Sequence, residues 1–161
     1  MAETDFGSYD PSSPRARYER LLHLAPDRAT ARKHHPELLD IFRREMKFRK
    51  DGCPAPDDEF DYADSIYWCA LLLYFVGDLA DVLLMWEAKN IDFDLRCGFD
   101  WQFFVGAGVD ETIKYLEDQS QEEAADYLKG QKAAHELDDL PGWEKFRIGY
   151  FYPQFTAQGH S

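Results

Sequence analysis

An all-α fold, a single domain of stacked antiparallel helices arranged as a bundle or a degenerate helical-repeat array, is what this 161-residue sequence predicts. Three observations carry the prediction. Apolar residues recur at three- and four-residue spacing, no convincing run alternates with the period of two that a half-exposed strand requires, and Pro- or Gly-containing breaks separate the periodic stretches. With 45% hydrophobic and 16% aromatic residues, the chain can fill one core without covalent staples.

Residues 1–13, with Gly7, Pro11 and several serines, read as a flexible lead. Ser13 before Pro14 sets a capping side chain ahead of a proline at the first helical position, and Tyr18, Leu21 and Leu22 continue at helical spacing. Ala25-Pro26-Asp27 is a break, and His34-His35 reads as a helix end before Pro36. Beyond it, Leu38, Leu39, Ile41, Phe42 and Met46 form the apolar stripe of an amphipathic helix whose outer side carries Arg43, Arg44, Lys47 and Lys50. Two prolines and a glycine make residues 51–56 a connector. The acids Asp57, Asp58, Glu59, Asp61 and Asp64 then lead into a central helix over 60–75, whose apolar body from Ile66 to Phe75 implies burial on every side.

Gly77 ends that helix. The stretch Leu79–Ala88, packing through Val82, Leu83, Leu84 and Trp86, is expected to fold back on it as a hairpin. A loop follows over 90–99, then a short apolar piece over 101–105, a tight turn at Gly106-Ala107-Gly108, and a helix over 109–116. A last polar helix is predicted over 120–136, with Ala124, Ala125, Tyr127, Leu128 and Ala133 facing inward. The aromatic tail, from Trp143 and Phe146 through Ile148, Tyr150, Phe151 and Tyr152 to Phe155, is expected to close the end of the core. Gly77-Asp-Leu-Ala-Asp-Val-Leu-Leu-Met can be laid on Gly108-Val-Asp-Glu-Thr-Ile-Lys-Tyr-Leu, and with the intervening segment this faintly resembles the turn-and-helix rhythm of ankyrin repeats over 77–116, without their Thr-Pro-Leu-His signature.

Charge divides the chain. The net charge is −13, yet residues 1–50 hold 11 basic and 8 acidic side chains, while residues 51–161 hold 7 and 23. A mildly basic helical part over 14–50 thus precedes a strongly acidic helical body over 57–161. Such a body repels nucleic acid and anionic membrane and suits a basic protein partner. No secretory signal is visible at the N-terminus, and the longest apolar run is far short of the roughly 20 residues a bilayer demands. Three cysteines without metal or redox spacing point to a reducing cytoplasm, with Cys69 as a buried thiol.

No catalytic frame emerges: no histidine stands beside a nucleophile, and Gly106-Ala107-Gly108 lacks the following Lys and hydroxyl of a phosphate-binding loop. Asp92, Asp94 and Asp100 are the best carboxylate cluster for a metal, but their frame misses calcium-loop spacing, so no metal or other cofactor is assigned. The residues expected to bind a partner are Asp57, Asp58, Glu59, Asp61, Asp64, Asp92, Asp94 and Asp100, with Trp68, Trp86 and Trp101 as aromatic anchors. In overall character the chain resembles the immunity proteins of bacterial toxin systems, small acidic domains that block a cognate toxin. That resemblance implies a non-enzymatic inhibitor and assigns no residue a role. The alternative is a small helical enzyme or ligand binder whose Asp61, Asp64, Asp92 and Asp94 converge on a divalent metal or polar substrate.

Overall fold

The computed structural model describes residues 9–53 and 62–156, and among them every regular element is helical. Helix α1 (Pro14–Leu22) starts as expected, with the Ser13 hydroxyl accepting from the Ala16 amide at 3.2 Å and Pro14 in the first turn. Helix α2 (Arg28–Lys33) is capped by Asp27, whose carboxylate accepts from the Thr30 amide at 2.7 Å. His34 closes α2, as expected, and also opens α3 (His35–Lys50), so the histidine pair ends one helix and begins the next. Pro36 sits in the first turn of α3, where its missing N–H costs no helical hydrogen bond. The buried side of α3 is Leu38, Ile41, Phe42, Met46 and Phe48, joined by a residue the apolar pattern does not announce, Glu45.

Helix α4 (Ser65–Val76) is the centre of the protein, beginning five residues later than expected. Of its twelve residues only Tyr67 is not buried. It packs chiefly on α3 and α2, with α1 and a 3-10 turn at Trp101–Val105 completing its surroundings. Gly77 ends it in the left-handed conformation, φ 68°, with its amide on the Leu73 carbonyl. A helix with no polar face still leaves its last carbonyls exposed, and α2 supplies the donors: Arg28 reaches the Phe75 carbonyl at 3.3 Å and Arg32 the Val76 carbonyl at 3.2 Å. Two guanidiniums thus stand at the negative end of the α4 dipole.

The chain beyond α4 does not return along it as a tight hairpin. A 3-10 turn over Leu79–Asp81 reorients it into α5 (Val82–Lys89), which packs on that turn, on α6 (Phe93–Gly98) and on the second 3-10 turn. Its fully buried residues are Val82, Met85, Ala88 and Lys89, so Leu83, Leu84 and Trp86 pack only from the edge. The segment expected as a loop contains α6 because Asp92 caps it, accepting from the Leu95 amide at 2.8 Å. Gly106 lets the turn lie against α4: a Cβ there would stand 2.0 Å from the Tyr74 carbonyl oxygen. Gly108 opens α7 (Val109–Asp118), which pairs with α8 (Glu122–Ala133). Because Gly77 closes a helix whereas Gly108 opens one, the two halves of the faint repeat are not structural equivalents.

The aromatic tail forms α9 (Leu140–Phe151) and the short α10 (Pro153–Thr156), and it closes the core through a subset of its rings. Phe151 stacks on Trp68 with ring centroids 5.5 Å apart, and Tyr152 meets Trp68 edge-on at 4.9 Å. The buried Tyr152 hydroxyl donates to the Leu21 carbonyl at 3.1 Å, tying the tail to α1. Tyr74 donates to Glu144 at 2.6 Å, and burial together with that carboxylate pushes the phenol's pKa well up. No helix among the described residues is long and apolar enough to cross a membrane.

Candidate functional site

The first turn of α4 gathers the acids and rings that most resemble a contact surface. Asp64, the residue before the helix, is exposed and makes no capping bond of its own. Its carboxylate lies 3.4 Å from the Tyr150 hydroxyl of α9. Three residues on, the Tyr67 hydroxyl reaches the Asp94 carbonyl of α6 at 3.4 Å. Positions three apart share a helical face, so the start of α4 brings α6 and α9 to one surface. Of the four large exposed hydrophobic residues among those described, three are carried by these two helices: Phe93 at 75%, Phe146 at 63% and Tyr150 at 56% exposure. Asp92 and Asp94 flank Phe93 along the chain. Arg49 is 3.9 Å from Asp92 and also donates to the Ala63 carbonyl at 2.8 Å. Burial raises the pKa of the Tyr67 phenol in this setting against the influence of Arg49.

The predicted contact residues divide on this geometry. Asp64 and Asp94 are exposed and belong to the surface, while Asp92 shares it although its carboxylate is used to cap α6. Asp57, Asp58, Glu59 and Asp61 lie outside the described residues. Trp68 is 4% exposed and is core, so it cannot anchor a partner. Asp100 is a structural strut: one of its oxygens accepts from the Trp143 indole at 2.8 Å and from two nitrogens of Arg147 at 2.6 and 2.8 Å. Phe93, Phe146 and Tyr150 were missed, although a signal existed. Helix α9 carries aromatics on two adjacent stripes, and a helix docked by one side buries only one of them.

Trp86 and Trp101 lie elsewhere, in a half-buried shelf with Tyr127. Trp101 stacks on Tyr127 at 5.3 Å and 18°, and Trp86 stands 5.9 Å from Trp101. Tyr127 is 52% exposed, contrary to the inward placement expected of it, and Ala133 is exposed as well. Among the described elements, helix α8 has only α7 as a principal neighbour, so its inward stripe narrows to Ala124, Ala125 and Leu128. Beneath the shelf, the ammonium of Lys89 is 4.6 Å from the Trp101 ring and donates to the Arg96 and Phe99 carbonyls at 2.9 and 2.6 Å. Burial pulls its pKa down, and it is a clasp between α5 and the end of α6.

Asp64, Asp92, Asp94 and Asp100 do not converge as metal ligands. Among the described residues, the one group of three or more potential ligands close enough to share an ion is His35, Asp78 and Asp81, with ligand atoms within 4.8 Å of one another. Its geometry also serves the fold. The His35 ring and the buried Asp81 share a hydrogen bond of 2.7 Å that joins α3 to the first 3-10 turn, and Asp78 caps that turn through the Ala80 amide at 2.9 Å. Burial raises the pKa of Asp81 and His35 opposes the rise. The Cys69 thiol is buried on the Leu38 carbonyl at 3.3 Å. In comparison with known protein families, curated proteins and solved structures, nothing matches the chain.

Proposed function

We propose that this chain is a non-enzymatic binding protein, of the inhibitor or immunity type, that holds a basic protein partner. The observation that carries the reading is the surface at the start of α4, where Phe93, Phe146 and Tyr150 stand in water beside Asp64, Asp92 and Asp94. Exposed aromatic residues supply the contact area that anchors an interface, and the carboxylates around them speed encounter with a positive partner and disfavour negative ones. A body with 23 acids against 7 bases over residues 51–161 extends the same field.

The test is capture of partners from a native extract on the immobilised protein, in parallel with a variant carrying Asp64→Asn, Asp94→Asn and Phe146→Ser. Support consists of a basic protein that binds the parent chain, elutes as ionic strength rises and is lost from the variant. A captured set that is acidic, insensitive to salt or unchanged by the variant refutes the reading.

A further inference from the structure

The contact surface has a chemical preference that follows from an arrangement the protein already makes with its own arginine. Arg147 projects from α9 with its guanidinium carbon 5.7 Å from the Phe146 ring and 6.0 Å from the Tyr150 ring, and 5.5 and 5.8 Å from Phe103 and Phe151. It donates twice to Asp100, at 2.6 and 2.8 Å. A planar cation, a carboxylate acceptor and several ring faces thus form one closed unit, with the Arg147 side chain only 15% exposed. Phe146 and Tyr150 belong to this unit, yet each is more than half exposed. Beside Tyr150 stands a second carboxylate, Asp64, whose neighbour is the phenol hydroxyl and which makes no ion pair among the described residues. Water therefore meets a set of groups like the one Arg147 satisfies inside: two rings and an acid, without the guanidinium.

We propose that Asp64, Phe146 and Tyr150 form an arginine-selective docking site, in which a guanidinium of the basic partner pairs with Asp64 and lies on the outward surface of the two rings. The inference rests on the proposed function above and names the side chain by which the partner is held. Arginine is favoured over lysine for two reasons. Its flat, weakly hydrated cation stacks on aromatic rings, and its forked donors can engage a carboxylate while stacked, whereas an ammonium is a compact and strongly hydrated point charge. Charge complementarity commits the occupant: Arg147 is neutralised by Asp100 and Arg49 is engaged by Ala63 and Asp92, while Asp64 and Asp94 make no ion pair among the described residues and are open to a cation. Lys145 lies on α9 next to Phe146 in sequence and is exposed, the one further cation along that helix besides Arg147.

The test titrates hexa-arginine and hexa-lysine peptides, equal in length and charge, into the full chain by calorimetry at low ionic strength. Hexa-arginine should bind more tightly by about tenfold, the size expected of ring stacking added to a forked pairing. Asp64→Asn combined with Tyr150→Leu should abolish that preference, while Tyr127→Ser, on the separate aromatic shelf, should leave it intact. Circular dichroism shows that each variant is folded. Equal affinity for the two peptides overturns arginine selectivity and leaves the basic-partner reading standing. A preference that survives Asp64→Asn with Tyr150→Leu overturns the assignment to this site, and binding of neither peptide overturns both.

Discussion

Replacing Arg17 by Met should be among the most damaging single changes that leave the apolar core untouched. Arg17 and Glu45 are 28 residues apart in sequence, lie on α1 and α3, and meet at 2.6 Å with side chains 3% and 1% exposed. Arg17 also donates to the Pro11 carbonyl at 2.9 Å and lies 5.9 Å from the Phe48 ring. One Glu45 oxygen has no donor among the described residues even in the intact protein, so removing Arg17 leaves the carboxylate buried without a hydrogen-bond donor among them, with only the more distant charge of Arg49 to favour it. Breaking a buried pair from one side costs about 3–5 kcal/mol, out of the roughly 5–15 kcal/mol that hold a domain of this size folded. Removing both charges, as Arg17→Met with Glu45→Leu, should recover most of that loss, because the desolvation of two ions disappears together. Urea unfolding of the parent, both single variants and the double variant gives the coupling directly.

The same pair sets a pH dependence. Burial raises the folded-state pKa of Glu45 above its ordinary value, and Arg17 opposes the rise. A group raised on folding contributes stability that is complete below its unfolded pKa and is lost as pH climbs through the folded one. Without Arg17 the rise is larger. The penalty of Arg17→Met should therefore be greatest near neutrality and shrink on acidification toward the ordinary glutamate range. The reasoning is refuted if the single variant loses less than about 1 kcal/mol, or if the double variant is as unstable as the single.

Two further perturbations follow from the packing. Gly106→Ala should destabilise the fold by about 2–3 kcal/mol, since the added carbon falls on the Tyr74 carbonyl and neither backbone can give way cheaply. Gly130→Ala, in the interior of α8 with nothing within 4 Å of the new carbon, should stabilise by about 0.5–1 kcal/mol; thermal melts showing the two with the same sign would contradict the assignment. Asp100→Asn keeps the shape but weakens the bonds to Arg147 and Trp143, and should loosen α9 by about 1–2 kcal/mol. Faster hydrogen exchange confined to α9 is the expected signature, and unchanged protection there would show that Asp100 is no strut.

How much of this was legible in the chain depends on the range of the interaction. Caps and breakers act within a few residues, and so Ser13, Pro14 and Gly77 announced their roles directly. Apolar periodicity likewise marked α3 and α4, because a helix buries a face that its own spacing defines. The candidate site was half legible. Its acids Asp64, Asp92 and Asp94 could be named as charged residues near helix starts, but their companions Phe146 and Tyr150 lie more than 80 residues from Asp64, and nothing local says that those rings stay in water while Trp68 is buried. Glu45 and Arg17 read as ordinary surface charges until α1 is laid on α3. Local sequence, then, determined that this protein is helical, where several of its helices start or stop, as at Ser13-Pro14 and Gly77, and that its body is acidic. Which charges are paired in the interior, which rings face solvent and which carboxylates serve as struts was decided by tertiary packing, because exposure belongs to the assembled surface and no single helix contains it.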